Sequence, residues 1–170
     1  MAKTDAFFIR ASVPIVDNTY TQTEIDLGAF VDALAETVLR IHSVEWQYSD
    51  DSGPGGPYQA GGTLNMQSQI TTQTQTGLVN LDNRSVVASS ILMTSALADG
   101  GAGANYVSSN VEDVGPQAWE AGYLIGVESI FLASQFSDAP ENNSTVSILL
   151  ECTSERLTKG AAMALALTQQ

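Results

Sequence analysis

The feature that most constrains this chain is a period-two alternation of apolar and polar residues that recurs along its length and is cut repeatedly by turn residues. Phe7, Ile9, Ala11, Val13 and Ile15 share one face, with Arg10 and Ser12 on the other. Successive side chains of a strand project to opposite sides, so this pattern specifies a half-buried strand and not a helix. After a turn-like "VDN", Thr21, Thr23, Ile25 and Leu27 alternate with Gln22, Glu24 and Asp26. A second strand therefore follows the first directly.

"GAFVDALAE" breaks the alternation, and Phe30, Val31 and Leu34 fit either a short crossover helix or an ordered loop. The alternation returns over residues 38–49 and ends at the Gly/Pro-rich "DDSGPGGPYQAGG". "TLNMQSQITTQTQT" reads as a strand with one wet face, because Leu64, Met66 and Ile70 fall in step. "NLDNRS" is a turn, "VVASSILMTSA" another strand, and "ADGGAGAN" a loop. A short strand is expected around Tyr106 and Val107. Residues 123–136 are almost continuously apolar, the pattern of one strand covered on both faces. "SDAPENNS" is a turn before the last strand, where Val146, Ile148, Leu150 and Cys152 align.

Only the end reads as helix: Thr158 suits an N-cap, and "KGAAMALALTQQ" is rich in helix formers. The expected strands are 6–16, 19–27, 38–49, 63–76, 78–95, 105–112, 121–136 and 145–157, followed by a helix over 158–168. Strands with one apolar face must pair into two packed layers. Eight of them with long connections specify an all-β fold, a single eight-stranded antiparallel jelly-roll sandwich with a short C-terminal helix, spanning residues 1–170 as one domain.

Charge narrows the function. Six Lys and Arg stand against nineteen Asp and Glu, a net charge of -13. The bases, Lys3, Arg10, Arg40, Arg84, Arg156 and Lys159, are scattered, whereas binding a phosphate backbone takes a basic patch or arm. Direct genome or RNA binding is therefore excluded as the main role. No run approaches the roughly 18 apolar residues of a membrane span, and the start of the chain lacks the pattern of a signal peptide. Synthesis and folding in the cytoplasm are expected.

The stretch "LRIHSVEWQYSDDSG" holds the chain's one histidine, His42. A pairing of His42 with Cys152 would have to be assembled entirely by tertiary contact, and an inert buried thiol is the simpler reading of Cys152. Along this strand the apolar face changes sides after Ile41, so either a bulge lies near His42 and Ser43 or the strand is buried on both faces. We expect His42, Val44, Trp46 and Tyr48 to lie at a seam with a neighbouring subunit. The loop acids Asp50, Asp51, Glu112 and Asp113 are weak Ca²⁺ candidates, since oxygen ligands in loops can gather that ion but these match no spaced ligand pattern. "ADGGAGAN" lacks the ending and the setting of a phosphate loop. Asn83, Asn142 and Asn143 head glycosylation sequons of little weight here. The sequence implies no cofactor, no catalytic residue and no metal beyond those weak candidates.

Met163, Leu165 and Leu167 leave the terminal helix apolar around most of its circumference, more apolar surface than one small sandwich needs. Association is the default inference, with these three residues as further interface candidates.

The order of segments, "TEIDLGAFVDALAETVLRIHSVEWQYSDDSG", then "GYLIGVESIFLAS", then "STVSILLECTSERLT" with its Ala-rich tail, resembles the single jelly-roll capsid proteins of tailless icosahedral double-stranded DNA viruses. The likeness is greatest to those of archaea whose shells surround an inner membrane. It lies in the arrangement of segments and not in any diagnostic motif. It implies a non-enzymatic virion subunit standing upright in the shell and assembling with copies of itself, or with a sister capsid protein, into capsomers. A shell separated from its genome by a membrane needs no basic arm, and residues 1–9 carry only Lys3. The rival readings are a carbohydrate-binding module, with Trp46, Tyr58, Tyr106 or Trp119 stacking on sugars, and a subunit of an extracellular filament or surface layer.

Overall fold

The computed structural model describes residues 4–15, 17–32, 34–51, 56–96, 105–108 and 117–170. Their strands are β1 (Phe7–Ile15), β2 (Thr21–Asp26), β3 (Thr37–Asp50), β4 (Thr63–Thr71), β5 (Val86–Ala96), β6 (Asn105–Ser108), β7 (Gln117–Ile125), β8 (Ser129–Phe136) and β9 (Ser144–Arg156). One helix, α1 (Lys159–Gln169), follows.

All the pairings are antiparallel. The first sheet has four strands in the order β1-β9-β3-β7, and the second has five in the order β2-β8-β4-β5-β6. Apart from the β4–β5 hairpin and the short β6 that extends the second sheet's edge, each successive strand crosses to the opposite sheet. That alternation is the winding of a jelly roll, with four principal strands in each layer.

The core lies between the sheets because the alternating apolar faces point inward. Val13, Ile15, Leu39, Ile41, Leu64, Met66, Ile70, Ile130, Leu132, Val146 and Leu150 are fully buried there. The interior of the second sheet also carries small polar groups. Ser68 Oγ donates to Ser134 Oγ at 2.8 Å, and the buried Tyr48 hydroxyl crosses from the first sheet to donate to the Ser90 carbonyl at 3.3 Å. Burial holds the Tyr48 phenol above its ordinary value. Each hydroxyl is satisfied, so the layer closes without leaving these groups stranded.

Several expected boundaries shift. The apolar run expected as one strand over 121–136 is two strands in different sheets, β7 and β8. It turns at Gly126, where an added Cβ would lie 3.0 Å from Leu165 Cγ and 3.1 Å from Ala166 N, so glycine lets the helix seat against the corner. β4 stops at Thr71 and not at residue 76, because its register slips after Ile70 and the Thr72 N–H turns to the Ser85 carbonyl at 2.8 Å. β5 accordingly begins at Val86, and residues 72–85 form a loop over the outer face of the second sheet. The Gln69 side-chain amide pins that loop, donating to the Val79 carbonyl and accepting from the Val79 N–H. Of the strand expected over 105–112, only 105–108 lies within the described residues.

"GAFVDALAE" is an ordered loop and not a helix. The Asp32 carboxylate accepts from the Leu34 and Ala35 N–H groups, and a bridge joins Asp32 to Thr37. Phe30 stacks on Phe7 with ring centroids 4.7 Å apart. At the far end Thr158 caps α1 by accepting from the Ala161 N–H at 3.4 Å. The buried Gln169 fastens the last turn, donating to the Leu124 carbonyl at 2.7 Å and accepting from the Gly126 N–H at 2.8 Å.

Cys152 is enclosed in this core, and burial, reinforced by the Glu151 charge, pushes its thiol from 9.0 up to about 12. The unfolded chain releases that proton near 9.0 while the folded chain keeps it to about 12, so the folded state binds more protons in between. The stability is complete below pH 9 and falls as the pH rises toward 12, by at most about 1.4 kcal/mol per pH unit for this group. Urea unfolding at about pH 8 and about pH 10.5 should show the loss, and Cys152→Ala should remove part of the slope. An identical slope in the variant would rule the thiol out as its source.

Candidate functional site

The irregular geometry of the first sheet centres on His42. Between Ile41 and Ser43 the register of β3 slips against both of its neighbours: Ile41 faces Cys152 and Tyr123, whereas Ser43 faces Glu151 and Ala118. The extra residue turns the strand over by one position. Leu39 and Ile41 point into the core before the bulge, and Val44, Trp46 and Tyr48 point into it afterwards.

The change of apolar face is thus produced by a bulge and not by a second buried face. Val44, Trp46 and Tyr48, expected at a subunit seam, lie in the sandwich core instead, at 0%, 8% and 5% exposure. His42 stays half-buried on the outer side, its Nε2 2.9 Å from Thr153 Oγ1. Around it stands a polar cluster. Arg40 grips Glu155 with two bonds, Nε to Oε2 at 3.1 Å and Nη2 to Oε1 at 2.5 Å, and also donates to the Ala121 carbonyl. Ser43 Oγ donates to Glu151 Oε2 at 3.3 Å.

Opposite the bulge, residues 119–122 of β7 stand against the single position 42 on β3, so β7 carries extra residues of its own there. Gly122 sits there at φ 72, and a Cβ would fall 2.5 Å from Arg40 Cγ. Only glycine satisfies both the backbone angle and the packing of the arginine stem. The Glu155 side chain is 2% exposed and that of Arg40 17%, so the pair ties β3 to β9 in a largely dry setting. Neither Glu155 nor Gly122 stood out in the sequence; a glycine inside a strand pattern was the one available signal.

The other expected positions are spread apart. Asp50 ends β3 opposite Ser144, and the Asp51 N–H donates to the Asn143 carbonyl at 3.1 Å, so this pair sits where the strand ends. Glu112 and Asp113 lie outside the described residues, and among the described residues no three metal-ligating side chains converge. Of the aromatics named for sugar stacking, Trp46 is in the core. Trp119 is half-buried and packs on Tyr123 at 5.8 Å, Tyr58 is half-buried, and Tyr106 lies in β6, whose side chains fall outside the described residues. On α1, Met163 and Leu167 are exposed, while Leu165 is half-buried against Gly126. No described helix is long and apolar enough to cross a membrane.

No protein-family model and no curated protein matches the chain. Solved structures do. VP1 of the Trichodysplasia spinulosa-associated polyomavirus, in complex with 3'-sialyllactose, is 9% identical with a TM-score of 0.48, covering 88% of this chain and 96% of that one. A chain of Desmodium yellow mottle tymovirus is 10% identical at a TM-score of 0.32, covering 89% of this chain and 88% of that one. The decameric BFDV capsid protein is 13% identical at a TM-score of 0.35, covering 89% and 99%. The likeness is one of fold.

The cluster around His42 acts on the sheet, since every group in it is engaged with a neighbouring strand. Removing one partner of a buried ion pair strands the other charge, so Glu155→Gln should cost about 3 kcal/mol in chemical denaturation. His42→Ala should cost only about 1 kcal/mol, the worth of one hydrogen bond. If Glu155→Gln unfolds at the native midpoint, the ion pair does not hold the two strands together.

Proposed function

We propose that the chain is a structural capsid subunit, a non-enzymatic component of the virion that assembles with copies of itself into capsomers of an icosahedral shell. The observation that carries this reading is the division of its apolar surface. The inner faces of both sheets are consumed by the core, yet Phe8, Leu81, Ile91, Met93, Met163 and Leu167 remain exposed on the outside. Apolar side chains on several faces of one jelly roll suit a subunit with several neighbours. The arrangement of segments, which resembles the single jelly-roll capsid proteins, supplies the function that a fold alone does not.

The finer parts of the proposal follow from that resemblance and from charge. Residues 1–170 act as one jelly-roll unit, made in the host cytoplasm and located in the virion, of the archaeal type with an inner membrane. A sister capsid protein shares the shell where one kind of subunit does not complete the capsomer. A net charge of -13 opposes contact with nucleic acid, so the genome is held by other components. Met163 and Leu167 on α1 and the half-buried His42 are the proposed contacts outside the sandwich core.

Sedimentation and negative-stain imaging of the purified full-length chain test the proposal. Capsomers or closed shells are expected, with no measurable change in the anisotropy of labelled duplex DNA at physiological salt. Open fibres would favour a filament or surface layer, and a stable monomer that binds glycans on an array would overturn the capsid reading.

A further inference from the structure

The charged residues are distributed unevenly between the two sheets. The outer face of the first sheet carries Arg10, Arg40, Glu45, Glu151 and Glu155. In contrast, no residue of β4, β5 or β8 is charged. Their outward rows run Gln135–Gln67–Ile91 and Ala133–Gln69–Ser89 across the sheet, with Asn65 beside Met93. Among the described residues acids reappear at the rim, at Glu24 and Asp26 on β2 and at Glu128 before and Asp138 after β8, while the overlying loop carries Asp82 and Arg84, whose charges offset each other.

The same face exposes apolar side chains. Ile91 is 41% and Met93 47% exposed, and Leu81 on the loop, 74% exposed, lines one groove with Leu78, Gln67 and Ile91. The half-buried amides of Asn65, Gln67 and Gln135 frame this patch with groups that both donate and accept hydrogen bonds without bearing charge.

We infer that this charge-free outer face of β8, β4 and β5, together with Leu78 and Leu81 of the overlying loop, is the surface by which one copy of the chain docks on a second copy. The inference rests on the capsid reading and deepens it. The occupant is argued from charge. Two chains of -13 repel at long range, and charged groups pressed between them would be desolvated next to like charges. Association between copies is least opposed where neither sign is present, and interface centres are depleted of charge and enriched in residues such as Met. A basic partner would call for acids across the face, and an acidic partner for bases. The face offers neither.

The test is sedimentation velocity of the full chain over a range of concentrations. Ile91→Glu/Met93→Glu places two acids on exposed positions of the face, and Ser12→Glu places one on the exposed outer side of β1 as a control. The double variant should associate at least roughly tenfold more weakly than the native chain while Ser12→Glu associates normally. Leu81→Glu, on the loop and outside the sandwich, should weaken association in the same direction even if the double variant fails to fold. Native-like association by folded Ile91→Glu/Met93→Glu, or by Leu81→Glu where the double variant does not fold, overturns this inference and leaves the capsid reading in place. Equal weakening by Ser12→Glu also overturns it. A native chain that stays monomeric at every concentration overturns both.

Discussion

The antiparallel ladder between β3 and β9 is the interaction on which the rest of the structure depends. It runs from Thr37 opposite Arg156 to Asp50 opposite Ser144, and it lies at the centre of the first sheet with β1 and β7 on its flanks. Both strands are longer than the other described strands. Without a break in register, the alternation of β3 would place Arg40 and Trp46 on the same side. The bulge at His42 separates them, sending the guanidinium outward to Glu155 and the indole inward to the core. One inserted residue thus reconciles a charged upper half with an aromatic lower half on a single strand.

Much of the fold class was legible because strand alternation is a local signal. The faces of β1 and β9, the capping Thr158 and the turn before β9 can each be read from a few consecutive residues. The reading faltered where one stretch of sequence serves two layers. Residues 121–136 are mostly apolar because β7 and β8 are each partly covered, and only the short Gly126–Ser129 stretch marks the passage from one sheet to the other. The Thr/Gln-rich stretch after Thr71 keeps the composition of a strand although it forms a loop, since its hydrogen bonds go to Ser85, Gln22 and Gln169 instead of to a ladder.

The candidate contacts show the same limit. His42, Val44, Trp46 and Tyr48 share a side by counting in twos, and a single bulge divides them between surface and core. The sequence did indicate that something happens after Ile41; which alternative holds depends on how β7 and β9 pair across the strand, and that is tertiary information. The ion pair of Arg40 with Glu155 spans 115 positions, so no spacing rule could bring it forward. Exposure of Ile91 and Met93 was equally hidden, because "SSILMTS" does not announce which of its two faces meets the other sheet.

The place of β9 has a consequence for how the chain comes to be folded. β9 lies between β1 and β3, so the first sheet has no centre until Ser144–Arg156 has been made. Pairings of such long sequence separation close slowly, and the loop entropy is lost before the contacts repay it. Until β9 is available, β1 and β3 cannot adopt their final order, and the sandwich cannot close. The sandwich therefore closes late and as a whole, once β9 is present to fill the centre of the first sheet.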